Sequence, residues 1–235
     1  MLIDLHIHTI YGSSCSVLNP KDLIQHAKLA GLQGGCLTEH NQAWQIDKFQ
    51  DLVNGDGHGF LLINGMEVNT NLGHVLVFGL PGYVQGINKA DKLRTIADRE
   101  GGVLIAAHPF RSELSAYFNF NLHSCNIELP ITLEEACQHP LFQLVDAIEA
   151  INGGSTQEEM EFCLQISRQL NKAATGGSDA HSIHGLGCCA TSFKSDIKSM
   201  EDFIAALKSG EFQAVDRRPN VPRFSNWPIN YELVS

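Results

Sequence analysis

The chain has 235 residues, 43% of them hydrophobic, and a formal charge of −10 at pH 7; this suits one large domain with a real core and excludes a disordered or fibrous polymer. No apolar run reaches the ~18 residues of a membrane span, and an acidic protein does not attract duplex nucleic acid or anionic membranes through its overall field. Seven cysteines, without a C-x-x-C pair, argue against a disulfide framework or zinc ribbon and fit a reducing, cytoplasmic setting, while Asp4, His6 and His8 interrupt any signal-peptide pattern.

Short apolar runs alternate with helical patterns, which is the mark of a parallel α/β architecture. A strand is predicted over Leu2–Ile7, then a helix over Pro20–Ala30 with Asn19 as N-cap and Gly31 as its stop. A strand over Gly35–Thr38 and a helix over Ala43–Val53 follow. Phe60–Glu67 and His74–Gly79 read as strands close enough to pair as a hairpin. Asn88–Glu100 reads as a helix capped by Gly101, and Val103–Ala107 as a short buried strand. Pro109–Pro140 is mixed, an insertion with some helix. Val145–Ile151 is a strand, and Thr156 with Glu159 gives a capping-box pattern for a helix running to about Leu170. Ala173–Gly177 is a strand, Ser199–Lys208 a helix ended by Gly210, and Gln213–Val215 a last strand. The reading is an α/β barrel domain over 1–215, with an insertion at about 110–142, and an irregular tail over 216–235.

The chemistry-bearing residues lie at or near the C-terminal ends of these strands: His6 and His8, Glu39 and His40, Glu67, His108, Glu149 and Asn152, Asp179 and His181. In a parallel barrel those ends converge on one face. His6 and His8 are two apart on a strand, so the pleat points both imidazoles the same way. A metal relieves the cost of leaving such a pair unpartnered inside a barrel. Glu67 is a carboxylate able to bridge two cations, which a neutral imidazole is not. Glu39 reads as an orienting partner of an imidazole or as a solvated acid. Arg111 is a phosphate fork or a surface ion pair. Gly176 and Gly177 allow close backbone approach.

The pieces D-L-H-I-H-T (4–9), T-E-H (38–40), G-M-E (65–67), A-H-P (107–109), I-E-A-I-N-G (148–153) and G-S-D-A-H (177–181), in this order, resemble the PHP (polymerase and histidinol phosphatase) family of metal-dependent phosphoesterases. The resemblance implies a distorted seven-stranded barrel with two or three divalent metals, among zinc, manganese and iron, at its C-terminal end. It implies that His6, His8, Glu67 and Asp179 hold one metal, that Glu67 bridges to a second bound by His108, and that His40 and His181 hold a third. His74, His123 and Glu149 compete as last ligand of the bridged metal, with His74 placed first. The family's usual Asp or His after H-x-H is missing from Tyr11–Ser16, so either Cys15 stands in as a thiolate, favouring a softer metal, or the third site is weak or empty. His26, His58, His139 and His184 read as surface or loop residues.

The expected activity is hydrolysis of a small phosphate ester (a nucleotide, or a sugar or amino-alcohol phosphate) by metal-activated hydroxide, with Arg111 on the phosphoryl oxygens and His181 or His184 as general acid. The alternatives are a metal-dependent amidohydrolase acting on a C–N bond, or a non-catalytic metal-binding module. The sequence does not indicate the oligomeric state. Tyr117, Phe118 and Phe120 in the insertion stand near Arg111 in sequence, for stacking or for loop packing.

Overall fold

The computed structural model describes residues 1–56, 59–111, 132–219 and 231–233. His58, Tyr117, Phe118, Phe120 and His123 lie outside the described residues. Seven strands are hydrogen-bonded in chain order: β1 (Leu2–Ile7), β2 (Gly34–Leu37), β3 (Leu61–Thr70), β4 (Gly73–Phe78), β5 (Val103–Ala106), β6 (Ala147–Asn152) and β7 (Ala173–Gly177). Neighbours run parallel except at β4, which is antiparallel to β3 and to β5. The seventh strand returns to the first. Ile7 bridges Ala180, and the His8 N–H donates to the Ala180 carbonyl at 3.0 Å.

At the other end of that seam stands β8 (Cys189–Phe193), antiparallel to β1. Its Thr191 hydroxyl accepts from the Gly176 N–H at 2.8 Å and donates to the Gly176 carbonyl at 2.9 Å. The expected distorted seven-stranded barrel is therefore closed by a bridge at one rim and a wedge at the other. β9 (Phe212–Asp216) pairs antiparallel with β8, and β10 (Tyr231–Leu233) parallel with β9. β8 was not foreseen, because C-A-T-S-F lacks the apolar alternation of a strand. The tail expected to be irregular contributes β10.

The helices are α1 (Pro20–Leu29), α2 (Ile46–Asp56), α3 (Ala90–Glu100), α4 (Leu133–Cys137), α5 (Leu141–Leu144), α6 (Gln157–Gln169) and α7 (Met200–Ser209). Local chemistry sets their ends. Asn19 accepts from Lys21 N, Thr156 and Glu159 form a reciprocal capping box, and α3 and α7 stop at left-handed glycines, Gly101 and Gly210. Among the described residues no helix is long and apolar enough to cross a membrane.

Two bulges decide what the barrel interior contains. On β1 three steps, Asp4 to Ile7, are matched by two on β2, Gly35 to Leu37. The extra residue re-aims the strand. Before it, Ile3 and Leu5 pack with Ile63, Leu76, Ile105, Ala147 and Phe203 as an apolar plug. After it, Ile7 packs with Leu23 and Ile24 of α1, and His6 and His8 turn toward β3 and β6. A second bulge, between Glu149 and Ile151 on β6, lets Glu149 and Asn152 meet at 3.0 Å. At Gly177 a Cβ would stand 2.5 Å from Glu149 Oε1 and 2.6 Å from His6 Cβ, so this wall has no space for a side chain.

Candidate metal centre

Glu67, 1% exposed, is the hub of a cluster at the C-terminal ends of the strands. Its Oε1 lies 2.8 Å from His74 Nδ1 and 3.0 Å from His108 Nε2. Its Oε2 lies 2.8 Å from His40 Nδ1, 3.4 Å from His8 Nε2 and 3.6 Å from His6 Nε2. The two oxygens thus face two separate sets of imidazoles. Hairpin register explains the His74 contact: Glu67 pairs with Leu76, which puts His74 on the same face, one diagonal step away. Asp179 Oδ1 lies 3.2 Å from His8 Nε2 and 3.5 Å from His6 Nε2. His181 stacks on His8 with ring centroids 4.5 Å apart, and its Nδ1 donates to the Asp179 carbonyl at 2.9 Å.

Among the described residues four groups bring ligand atoms close enough to hold an ion: His6/His8/Glu67, His6/His108/Asp179, Glu67/His74/His108 and His8/His40/His181. All eight side chains proposed as ligands from the sequence therefore meet.

The backbone is strained at the same place. Asn41, His108 and Asp179 adopt positive φ of 55°, 31° and 53° without being glycine. Such conformations persist where the surrounding structure over-determines them, typically at functional sites.

The electrostatics suit a cation. Burial works to lower the His6 pKa, but the Glu149, Asp179 and Glu67 carboxylates outweigh it and hold the imidazole well above its ordinary value. Burial pushes His8 down to about 4, aided by the charge of His6. Contact with Glu67 raises His40 against its burial. Burial would raise Glu67 and Asp179, yet the His6 charge and hydrogen bonds from neighbouring imidazoles keep both well below the usual carboxylate range. His6 Nε2 and His8 Nε2 face each other at 3.0 Å, with carboxylate oxygens of Glu67 and Asp179 around them. A proton on His6 balances this collection of acceptors, and a divalent cation in its place would satisfy more of them at once. The donor set, imidazole and carboxylate, suits zinc, manganese or iron.

Other predicted positions fall outside this cluster. Glu149, a candidate last ligand, stands behind His6: its carboxylate takes the His6 Nδ1–H at 3.0 Å, the His108 N–H at 3.0 Å and the Asn152 amide at 3.0 Å. It orients His6, and His74 takes the position facing Glu67. Arg111, expected on phosphate or in an ion pair, pairs with Asp179 Oδ2. Cys15 Sγ touches His40 Nε2 at 3.3 Å, on the ring edge away from Glu67, and joins none of the four groups. Burial and the nearby carboxylates push its thiol pKa up. Glu39 is buried and accepts from Thr9 N, Thr9 Oγ1 and Trp44 Nε1. His139, read as a surface or loop residue, lies in the loop before α5 but is buried edge-on against Phe142.

Asp4 has no role of its own in the sequence pattern, yet it holds the site together. Asp4 is fully buried, and accepts from Ser178 N at 2.8 Å and His6 N at 3.2 Å through Oδ1, and from Gly187 N at 3.0 Å through Oδ2. It ties β1 to the loop that carries Asp179 and His181. Its placement two residues before His6, inside the polar run, was the available signal. Burial, offset in part by these bonds, pushes it up to about 6.

The fold has relatives among solved structures. PsfC from Pseudomonas syringae superposes with a TM-score of 0.61 at 19% identity, over 92% of this chain and 91% of that one. A two-domain protein from Bacteroides vulgatus, described as containing a predicted PHP-like metal-dependent phosphoesterase, gives 0.60 at 19% identity, over 92% of this chain and 66% of that one. An amidohydrolase from Chromobacterium violaceum gives 0.57 at 14% identity, over 87% and 96%. Comparison with curated proteins gives no match. Residues 4–118 match the PHP domain model, and residues 160–212 match the PHP-associated model. With these two matches in order along one barrel, the chain belongs to the PHP domain family.

Proposed function

We propose that this protein is a metal-dependent phosphoesterase acting on a small phosphate ester, a nucleotide or a sugar or amino-alcohol phosphate. The observation that carries the reading is the split of Glu67, whose two oxygens serve two imidazole sets about one buried carboxylate. His6, His8, Glu67 and Asp179 would hold one divalent ion, Glu67, His74 and His108 a second, and His40 with His181 a third. Bound divalent ions supply hydroxide at neutral pH and Lewis-acid charge for phosphoryl oxygens.

The chain's own residues do the rest. Glu149 keeps the proton of His6 on Nδ1, so that Nε2 faces the cluster. Arg111 holds a guanidinium beside Asp179, where it can pair with a phosphoryl oxygen of the substrate. His181, 33% exposed, gives its Nδ1–H to the Asp179 carbonyl, which leaves Nε2 to bind a metal or, in the imidazolium form, to protonate a leaving oxygen. Lysine as a bridging ligand, the device of many amidohydrolases, has less support: Glu67 already faces both imidazole sets, and Lys92, Lys172 and Lys208 bond to backbone carbonyls of Gln85, Val145 and Gly101.

Metal quantification combined with a panel of phosphate esters and amides, assayed with manganese, zinc or iron and with chelator controls, tests the proposal. Ester turnover abolished by chelator is expected. Turnover of amides alone favours an amidohydrolase. Tight metal binding without turnover of either class favours a binding module.

A further inference from the structure

Outside the ligand cluster, Ser13 has a bonding pattern that leaves it one arrangement. It is 1% exposed, in the loop that follows β1. Its Oγ lies 2.6 Å from Glu39 Oε2, 3.0 Å from His8 Nδ1 and 3.3 Å from His40 N. Glu39 is a carboxylate and only accepts. It is itself fully buried and held by the Thr9 N–H, the Thr9 hydroxyl and the Trp44 indole N–H at 2.9 Å. The single hydroxyl proton of Ser13 therefore goes to Glu39. The hydroxyl oxygen is left with lone pairs, and these take the His40 backbone N–H and the His8 ring N–H.

We infer that Ser13 and Glu39 form a relay that fixes the tautomer of His8, placing its proton on Nδ1 and its lone pair on Nε2, toward Glu67 and Asp179. Ser13 and Glu39 are positioning residues that act through His8. His6 receives the same service from Glu149 directly. The two neighbouring imidazoles are thus prepared by different devices, one by a carboxylate and one by a hydroxyl that a carboxylate polarises. Because Ser13 also holds the His40 backbone, the relay sets the spacing of two imidazoles with one side chain. The stretch 13–15, where a ligand is missing from the family's usual pattern, supplies a device for orienting a ligand that is already present.

The inference rests on the metal-centre reading, but its first test does not need a metal. In the metal-free protein, ¹⁵N chemical shifts of the His8 ring, identified by comparison with H8Q, report which nitrogen is protonated. Protonated Nδ1 is expected in the wild type. In S13A the Nδ1–H loses its acceptor and the ring shifts should move, while S13T, which keeps the hydroxyl, should restore the wild-type pattern. Zinc affinity should fall about 10–100-fold in S13A, as for lost orienting partners of metal-bound histidines, and recover in S13T. E39Q, in which the side chain offers an N–H as well as an acceptor, should move the ring shifts in the same direction. A His8 ring protonated on Nε2 in the wild type overturns the relay. So does an S13A protein, folded by circular dichroism, with unchanged ring shifts and zinc affinity. Should the wild type bind no metal, the functional reading fails, and the ring shifts still decide the relay.

Discussion

Replacing Glu149 by glutamine probes how the cluster is prepared. The carboxylate accepts from three buried donors: His6 Nδ1, His108 N and Asn152 Nδ2. Glutamine offers one oxygen and one NH2 group. If its oxygen faces His6, the NH2 opposes the His108 and Asn152 donors, and two unsatisfied buried groups cost about 1–3 kcal/mol each. If it turns, both donors are satisfied and the NH2 faces His6 Nδ1. That ring then moves its proton to Nε2, the atom aimed at Glu67 and Asp179. The tautomer change is intrinsically cheap, so the second arrangement is expected. E149Q should fold nearly as well as the wild type and bind zinc at least ~10–100-fold more weakly. E149A has no such escape. Three orphaned donors cost about 3–9 kcal/mol, comparable to the whole stability of a domain. The assays are chelator-competition titration with zinc, and denaturant unfolding of the metal-free proteins. Wild-type zinc affinity in E149Q, or wild-type stability in E149A, would refute the reasoning.

Three further outcomes follow from the same geometry. E67Q removes the charge shared by the two imidazole sets, so elemental analysis should show the bound-metal count falling by at least one and phosphoesterase turnover by about 10²-fold or more; unchanged stoichiometry speaks against a bridging role. Asp4 has its carboxyl raised from 3.8 to about 6 in the folded protein, so it stabilises while protonated: the contribution is complete below about pH 4 and is lost as pH rises through about 6. Relative to D4N, the metal-free wild type should lose about 3 kcal/mol over that window, from two pKa units at ~1.4 kcal/mol each; parallel stability curves for the two proteins would contradict this. G177A forces a methyl to within 2.5 Å of Glu149 Oε1 and 2.6 Å of His6 Cβ, so it should cost about 1–3 kcal/mol in thermal unfolding and also weaken zinc binding; a neutral effect on both would mean that this wall yields.

Much of this protein is legible in one dimension. Periodicity and end signals located the first seven strands and the longer helices, because caps such as Thr156 and Gly101 act over a few residues. Strand-end placement also named the side chains now clustered around Glu67 apart from His74, which its place on the strand after Glu67 pointed to. What failed was non-local. Strand β8 reads poorly because its Thr191 is a plug, bonded to the Gly176 backbone of another strand. His139 looked like a loop residue because nothing nearby in sequence announces the Phe142 ring over it.

Residue type and strand period are properties of short segments, and they suffice for the family, the barrel and the identity of the candidate ligands. The placement of the two carboxylates around His6 depends instead on how the strands meet in three dimensions. Glu149 and Glu67 are both buried carboxylates borne on strands of the barrel. One lies behind His6 and the other in front of it because of a bulge on β1 and another on β6. A bulge is a mismatch between two strands, and so it is written in neither strand alone.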